Sequence, residues 1–232
     1  MVVLRERLRG HPDDVAARRL LIRVLASAGS MVEARLEVGE LAARMPPGDP
    51  APDIELGHAL ELAHRYDEAL EAYDSAAAVA PASPDGPREG GMRAAHWGET
   101  EQALPRLEEA VRRGAHDAGI WHALGLVRLH AGDAGGAEQA YRAGIAANPS
   151  AAENWLGLAS VAIVRGDAGG ALEAYDQVAL RKPRFAPAQL GRAWALARLG
   201  RRDEAQRALD RAAELGAPSA NVAHQRAALR EP

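Results

Sequence analysis

The sequence repeats itself every 34 residues. Ala69-Leu-Glu-Ala-Tyr-Asp74 returns unchanged as Ala171-Leu-Glu-Ala-Tyr-Asp176, three periods later. Gly132-Asp-Ala-Gly-Gly-Ala137 returns one period later as Gly166-Asp-Ala-Gly-Gly-Ala171. Trp121 and Trp155, Tyr141 and Tyr175, and Pro149 and Pro183 keep the same spacing. A period in this range commits a chain to an array in which each unit buries its apolar face against the next. The available residues decide what the unit is made of. Aromatics are 4% of the chain, Val and Ile are sparse, and Ala, Leu, Arg and Glu abound. That supply suits helices and is poor for the strands of a sandwich or barrel.

The clearest copy, Ala118–Ala151, places Trp121 at position 4, Leu124 and Gly125 at 7 and 8, Ala137 at 20, Tyr141 at 24 and Pro149 at 32. The next copy repeats the pattern with Trp155, Leu158, Ala159, Ala171, Tyr175 and Pro183. Units of this length with these residues resemble the tetratricopeptide repeat. The register divides the chain into six copies, 15–49, 50–83, 84–117, 118–151, 152–185 and 186–219. The first carries one extra residue in its Pro-Pro-Gly-Asp-Pro loop. Residues 1–14 read as a lone second helix, with Leu4, Leu8 and Pro12 at positions 24, 28 and 32, and 220–232 as a polar capping helix and tail. The resemblance implies an all-α, right-handed superhelix of helix-turn-helix repeats with a lone helix at each end.

Packing accounts for the pattern. Small residues at positions 8 and 20 let the two helices of a copy, A and B, approach closely, and large residues at 4, 7, 11 and 24 fill the space between. This reading puts Trp121 and Trp155 in the core. Gly29, Gly132, Gly166 and Gly200 at position 15 end helix A in a left-handed turn. Proline at 32 ends helix B, because it lacks an N–H and disfavours a helical residue before it. The copy at 84–117 is the weakest match. Gly86, Gly90 and Gly91 fall in its helix A, each costing about 1 kcal/mol in a helix interior. A hinge and simple drift are the two readings of that copy.

Several function classes are excluded or unsupported. With no cysteine, thiol catalysis, disulfides and cysteine-ligated metals are ruled out. No phosphate-binding loop, His-Glu-x-x-His or Gly-x-Ser-x-Gly occurs. The Gly-Asp-Ala-Gly-Gly-Ala segments follow a helix rather than a strand and read as A-to-B turns. The net charge of −4 gives no support to a nucleic-acid partner. Its distribution is uneven, −11 over residues 50–180 and +6 over 181–232. No run approaches the ~18 apolar residues of a membrane span, and the start lacks the apolar core of a signal peptide. The expected location is the cytoplasm, or the periplasm if a leader has been removed. Abundant Ala and Arg with a single Lys suit a GC-rich bacterial genome. His96 and His130, at position 13 of adjacent copies, and His122 and His58 invite a metal. No carboxylate is placed to complete a site, and neither metal nor cofactor is expected.

The resemblance also implies where a ligand would lie, since helix A lines the concave face and its positions 5, 9, 12 and 13 usually touch the partner. In this chain those positions carry Arg19, Arg23, His58, Arg88, Met92 and His96 in the first three copies. The last three carry His122, Leu126, Leu129, His130, Leu156, Ser160, Ile163, Val164, Leu190, Trp194 and Arg198. The expected groove is therefore basic at one end and apolar at the other. Relatives that clamp a chaperone's C-terminal carboxylate use Lys at position 5 and Asn at position 9, and that pattern is absent. The expectation is a non-catalytic scaffold that holds a peptide or helix of a partner during assembly of a complex. Self-assembly, and service as the recruiting module of a larger enzyme or export apparatus, are the other readings.

Overall fold

The structure, a computed structural model, describes residues 1–229. Residues 230–232, the end of the expected C-terminal cap and tail, lie outside the described residues. Fourteen helices and no strand occur among the described residues, so the all-α expectation holds. The chain forms two compact units, Met1–Ala115 and a second beginning at His116.

The first unit holds α1 (Val2–Gly10), α2 (Val15–Ser27), α3 (Met31–Ala42), α4 (Ala51–Leu62), α5 (Tyr66–Val79), α6 (Asp85–Trp97) and α7 (Thr100–Arg112). α2 pairs with α3, α4 with α5 and α6 with α7. α1 rests on α2, and successive hairpins pack through α3 against α4 and α5 against α6. The second unit holds α8 (Ala118–His130), α9 (Ala134–Ala147), α10 (Ala152–Val164), α11 (Ala168–Arg181), α12 (Ala186–Arg198), α13 (Arg202–Glu214) and α14 (Ser219–Ala228). Its hairpins are α8–α9, α10–α11 and α12–α13, with α14 against α13 and α12.

The hairpins turn where the glycines at position 15 sit. Gly29, Gly98, Gly132, Gly166 and Gly200 have φ between +71° and +83°, a region that side chains with a Cβ rarely enter. The copy at 50–83 has His64 at this position, and its φ is +58°. In the two Gly-Asp-Ala-Gly-Gly-Ala segments the aspartate after the glycine caps helix B. The Asp133 carboxylate accepts from the N–H of Gly136 at 2.8 Å, and Asp167 from that of Gly170 at 2.9 Å. Such caps satisfy free donors of the first helical turn. These glycine-rich segments span the A-to-B turn and the first residues of helix B.

The core follows the same register. Ala34, Ala69, Ala103, Ala137, Ala171 and Ala205, all at position 20, are completely buried. Position 24 supplies the large partner, with Tyr73, Leu107, Tyr141 and Leu209 buried beneath the A helices. Tyr141 lies against two helix backbones at once. A Cβ on Gly125 of its own hairpin would stand 2.6 Å from the ring, and one on Gly157 of the next hairpin 2.2 Å. The glycines of the weakest copy have the same role. α6 is continuous through them, a Cβ on Gly86 would meet the backbone nitrogen of Ala77 at 2.5 Å, and one on Gly91 would meet Leu107 at 2.9 Å. Close helix approach gives these glycines a packing role.

Candidate partner-binding surfaces

In the first unit, the helix-A face assigned to a ligand is occupied by the chain's own ion pairs. Arg23 grips the Glu55 carboxylate with two hydrogen bonds, Nε to Oε1 at 2.5 Å and a guanidinium NH2 to Oε2 at 2.9 Å. Glu55 is only 3% exposed and Arg23 is 47% exposed, so the carboxylate is buried under a cation that still reaches water. His58 Nε2 lies 3.4 Å from Glu89, and the His58 ring meets Tyr73 edge-on with centroids 5.8 Å apart. Arg93 reaches Glu61 at 3.4 Å, and Arg88 reaches Glu89 at 3.3 Å. The hydrogen bond from His58, helped by the charges of His58, Arg93 and Arg88, holds the Glu89 carboxyl below the usual range despite burial. Burial, with the charge of Glu61, pushes the Tyr73 phenol above its ordinary value. Arg19 and Met92 are half-buried and His96 is exposed. This face is charged but largely neutralised from within.

The second unit is different. His122 packs against Tyr141 at 5.8 Å between ring centroids, and burial pushes its pKa down. The Tyr141 phenol is pushed up to about 12 by burial. Leu129 packs on Ala137, Tyr141 and Val161, and Leu156 on Ala152, Val178 and Ala188. Leu126 is half-buried, and His130 and Ser160 are exposed. Ser160 Oγ donates to the Leu156 carbonyl at 3.1 Å. Ile163 and Val164 close α10 at 38% and 66% exposure. Ile163, Leu190 and Trp194 meet with Tyr175, Pro187 and Gln225 around a hollow of about 280 Å³. The Arg198 guanidinium covers the Trp194 ring at 5.4 Å, a cation–π distance. Of the residues singled out by register, these four gather at one place. Among the described residues, no three His, Asp or Glu side chains converge in a way that could hold a metal.

The other side of α10 carries a feature that the sequence reading missed. A cleft of about 390 Å³ runs between α9 and α11, floored by Trp155, Leu158 and Ala162. Trp155 is therefore a half-buried wall rather than a core residue, its Nε1 donating to the Pro149 carbonyl at 3.4 Å and Arg181 lying 5.0 Å over its ring. Trp121 is likewise only half-buried, stacked on His116 with centroids 5.9 Å apart. Position 4 varies widely in residue type, since the other copies hold Arg18, Asp53, Pro87 and Gln189, of which Arg18, Pro87 and Gln189 are buried.

A sequence profile described as Tetratricopeptide repeat matches residues 3–50, 97–152 and 123–188, more than half of the chain. The chain is a tetratricopeptide-repeat protein. No curated protein sequence matches it. Among solved structures, the C-terminal part of a tetratricopeptide-repeat protein from Cytophaga hutchinsonii is 14% identical with a TM-score of 0.75. That match covers 96% of this chain and 92% of the other. YrrB, described as a tetratricopeptide-repeat protein with an unusual peptide-binding site, is 19% identical with a TM-score of 0.68, over 78% of this chain and 93% of its own. MamA is 23% identical with a TM-score of 0.68, over 72% and 91%. Identities this low establish a common fold. Among the described residues no helix of this tetratricopeptide-repeat protein is long and apolar enough to cross a membrane.

Proposed function

We propose that the protein is a non-catalytic interaction module whose partner-binding surface is the apolar face of the second unit, from Leu126 through Leu156, Ile163 and Val164 to Leu190 and Trp194. The observation that carries this reading is the hollow between Ile163, Leu190 and Trp194, open beside the exposed Val164. An aliphatic or aromatic side chain of a partner peptide fits a hollow of that size, and each apolar side chain buried there adds about 1.5–3 kcal/mol at full burial. Exposed apolar surface flanked by a cation is the usual form of a protein-binding site. The partner's role in assembling a larger complex belongs to the same proposal, as does the choice between a peptide of another protein and a second copy of this chain. The basic first-copy residues Arg19 and Arg23 contribute less, since Arg23 is committed to Glu55.

The test uses Ile163→Glu/Val164→Glu, because both residues are exposed and neither belongs to a buried core cluster. Trp194 is a poorer probe, being packed on Ala162, Ala171 and Ala195. The expected result is that a partner captured by the wild type and identified by mass spectrometry binds the purified variant at least tenfold more weakly, with unchanged circular dichroism. Equal affinity for both proteins would move the binding surface elsewhere. Capture of the chain by itself, with mass rising with concentration, would make self-association the function of this face.

A further inference from the structure

Each of the four tryptophans meets a partner within the chain, and two of them meet a cation. Arg181 lies over Trp155 at 5.0 Å, Arg198 lies over Trp194 at 5.4 Å, and the His116 ring stacks on Trp121. Trp97 is the fourth. It ends α6 against Tyr66, the first residue of α5, with ring centroids 4.6 Å apart and planes tilted by 44°. Among the described residues no guanidinium or ammonium lies over the Trp97 ring. Both rings border a cleft of about 310 Å³ that also touches His64, Asp67, Glu68, Glu99 and Arg65, the last committed to Glu68. Glu68 is held by Arg65 at 2.6 Å and Arg35 at 3.0 Å. The carboxylates of Asp67 and Glu99 engage no cation among the described residues.

Packing does not require aromatics here. The register equivalents of Trp97 include Ala28, Ala63 and Ala131, and those of Tyr66 include Ala134 and Ala168. Tyr66 is 42% exposed.

We propose that this cleft is a docking site for an arginine-bearing basic segment of another protein. The guanidinium lies on the Trp97 and Tyr66 faces, and Asp67 and Glu99 accept its N–H donors. Charge complementarity selects this occupant. The aromatic faces attract a cation within about 6 Å, and the excess of 13 acidic over 6 basic residues across 50–115 of the same unit raises the local concentration of positive segments. Arginine fits better than lysine because its planar fork stacks on a ring and bonds a carboxylate at the same time. The chain's own Arg–Trp pairs show the stacking geometry. The site belongs to the first unit and rests on nothing proposed for the apolar face of the second.

The experiment titrates the ¹⁵N-labelled full chain at low salt with acetyl-Gly-Arg-Gly-Arg-Gly-amide, and with its lysine and glutamate counterparts. The indole signals are assigned with Trp97→Phe. The arginine peptide is expected to move the Trp97 indole and the amides of residues 64–68 and 97–102 in a saturable way. The lysine peptide is expected to bind at least threefold more weakly, and the glutamate peptide to leave those signals in place. Asp67→Asn/Glu99→Gln, two exposed changes at helix N-termini, should weaken the arginine peptide at least threefold with the fold retained and the melting temperature lowered by only a few degrees. Shifts confined to the Trp155 or Trp194 indoles would overturn the site. Equal response to the glutamate peptide, or undiminished binding by the neutralised variant, would overturn its charge logic. Equal affinity for the lysine peptide would overturn the assignment to arginine.

Discussion

In the first unit, helix-A position 9 carries Arg23, His58 and Met92, and the first two are tied to carboxylates, Glu55 and Glu89. In the second unit the same position carries Leu126, Ser160 and Trp194, set in an apolar face. The framework beneath is the same in both. An alanine with no exposed surface stands at position 20 of every hairpin, and a large side chain at position 24 fills the space under helix A. Close packing and recognition thus use different positions of one repeat. Groove chemistry can change from ion pairs to aliphatics without any change in the way the helices meet. The predictions that follow attack the shared framework first and the differing surfaces after it.

Gly86→Ala should have the largest effect. The added Cβ would stand 2.5 Å from the Ala77 backbone nitrogen and 2.9 Å from the Tyr73 carbonyl oxygen. Backbone cannot rotate out of the way as a side chain can. Alanine would gain about 1 kcal/mol in helix propensity. Overpacking of this kind costs about 1–3 kcal/mol, occasionally more, and a backbone clash belongs at the upper end. The expected outcome is a net loss of about 2 kcal/mol in urea denaturation. A neutral or stabilising result would mean that α5 and α6 can part readily, and would restore the hinge reading of the 84–117 copy.

Arg23→Ala comes next and separates the two units. It would leave the buried Glu55 carboxylate without its cation. Removing one partner of a buried pair costs about 3–5 kcal/mol, and half-exposure of Arg23 lowers the expectation to about 1.5 kcal/mol. Leu126→Ala, at the same register position in the second unit, should cost about 1 kcal/mol, because the side chain is only half-buried. Equal losses in the two variants would show that the charged pairs add nothing beyond contact area.

The sequence made the framework legible because packing at positions 8, 15, 20 and 24 demands particular sizes and backbone angles. The period therefore survives in Gly132 and Gly166, Ala137 and Ala171, and Tyr141 and Tyr175. The site was less legible. Arg23 reads as a groove cation until Glu55, 32 residues away, is seen to hold it. Trp155 reads as core from its position, yet it forms the floor of a cleft, since position 4 accepts anything from Asp53 to tryptophan. Trp97 lies 31 residues from Tyr66, and the three residues stand in a turn (His64) and at two helix ends (Tyr66 and Trp97), where residue type is less constrained by packing. Their meeting at one cleft is visible only in three dimensions.

Acid should weaken the second unit through His122. Burial against Tyr141 holds its folded pKa below the unfolded value, opposed in part by the charge of Glu153. Between the folded and unfolded pKa values the unfolded chain binds the proton and the folded one does not. Stability therefore falls as pH drops below about 6.5, the unfolded imidazole value. His122→Gln should flatten part of the decline in stability between pH 7 and 5, measured as the difference between wild-type and variant urea midpoints. Parallel curves for the two proteins would place a charged His122 in contact with water or Glu153.

The smallest effect, and the only stabilising one, is expected from His64→Gly. Five of the six A-to-B turns use glycine at this position, and His64 adopts φ +58° without that freedom. A left-handed residue with a Cβ pays about 1 kcal/mol, and histidine tolerates the region better than most. Glycine would relieve that strain but would add entropy to the unfolded chain. It would also remove the 3.0 Å contact between Nδ1 and the Tyr66 hydroxyl. The balance is a gain of about 0.5 kcal/mol, read as a melting temperature raised by a few degrees at most. A loss instead of a gain would show that the His64–Tyr66 contact outweighs the strain. The aromatic edge of the first unit would then be held in place by its own turn, whereas Gly132, Gly166 and Gly200 at the same position in the second unit offer no side chain for such a contact.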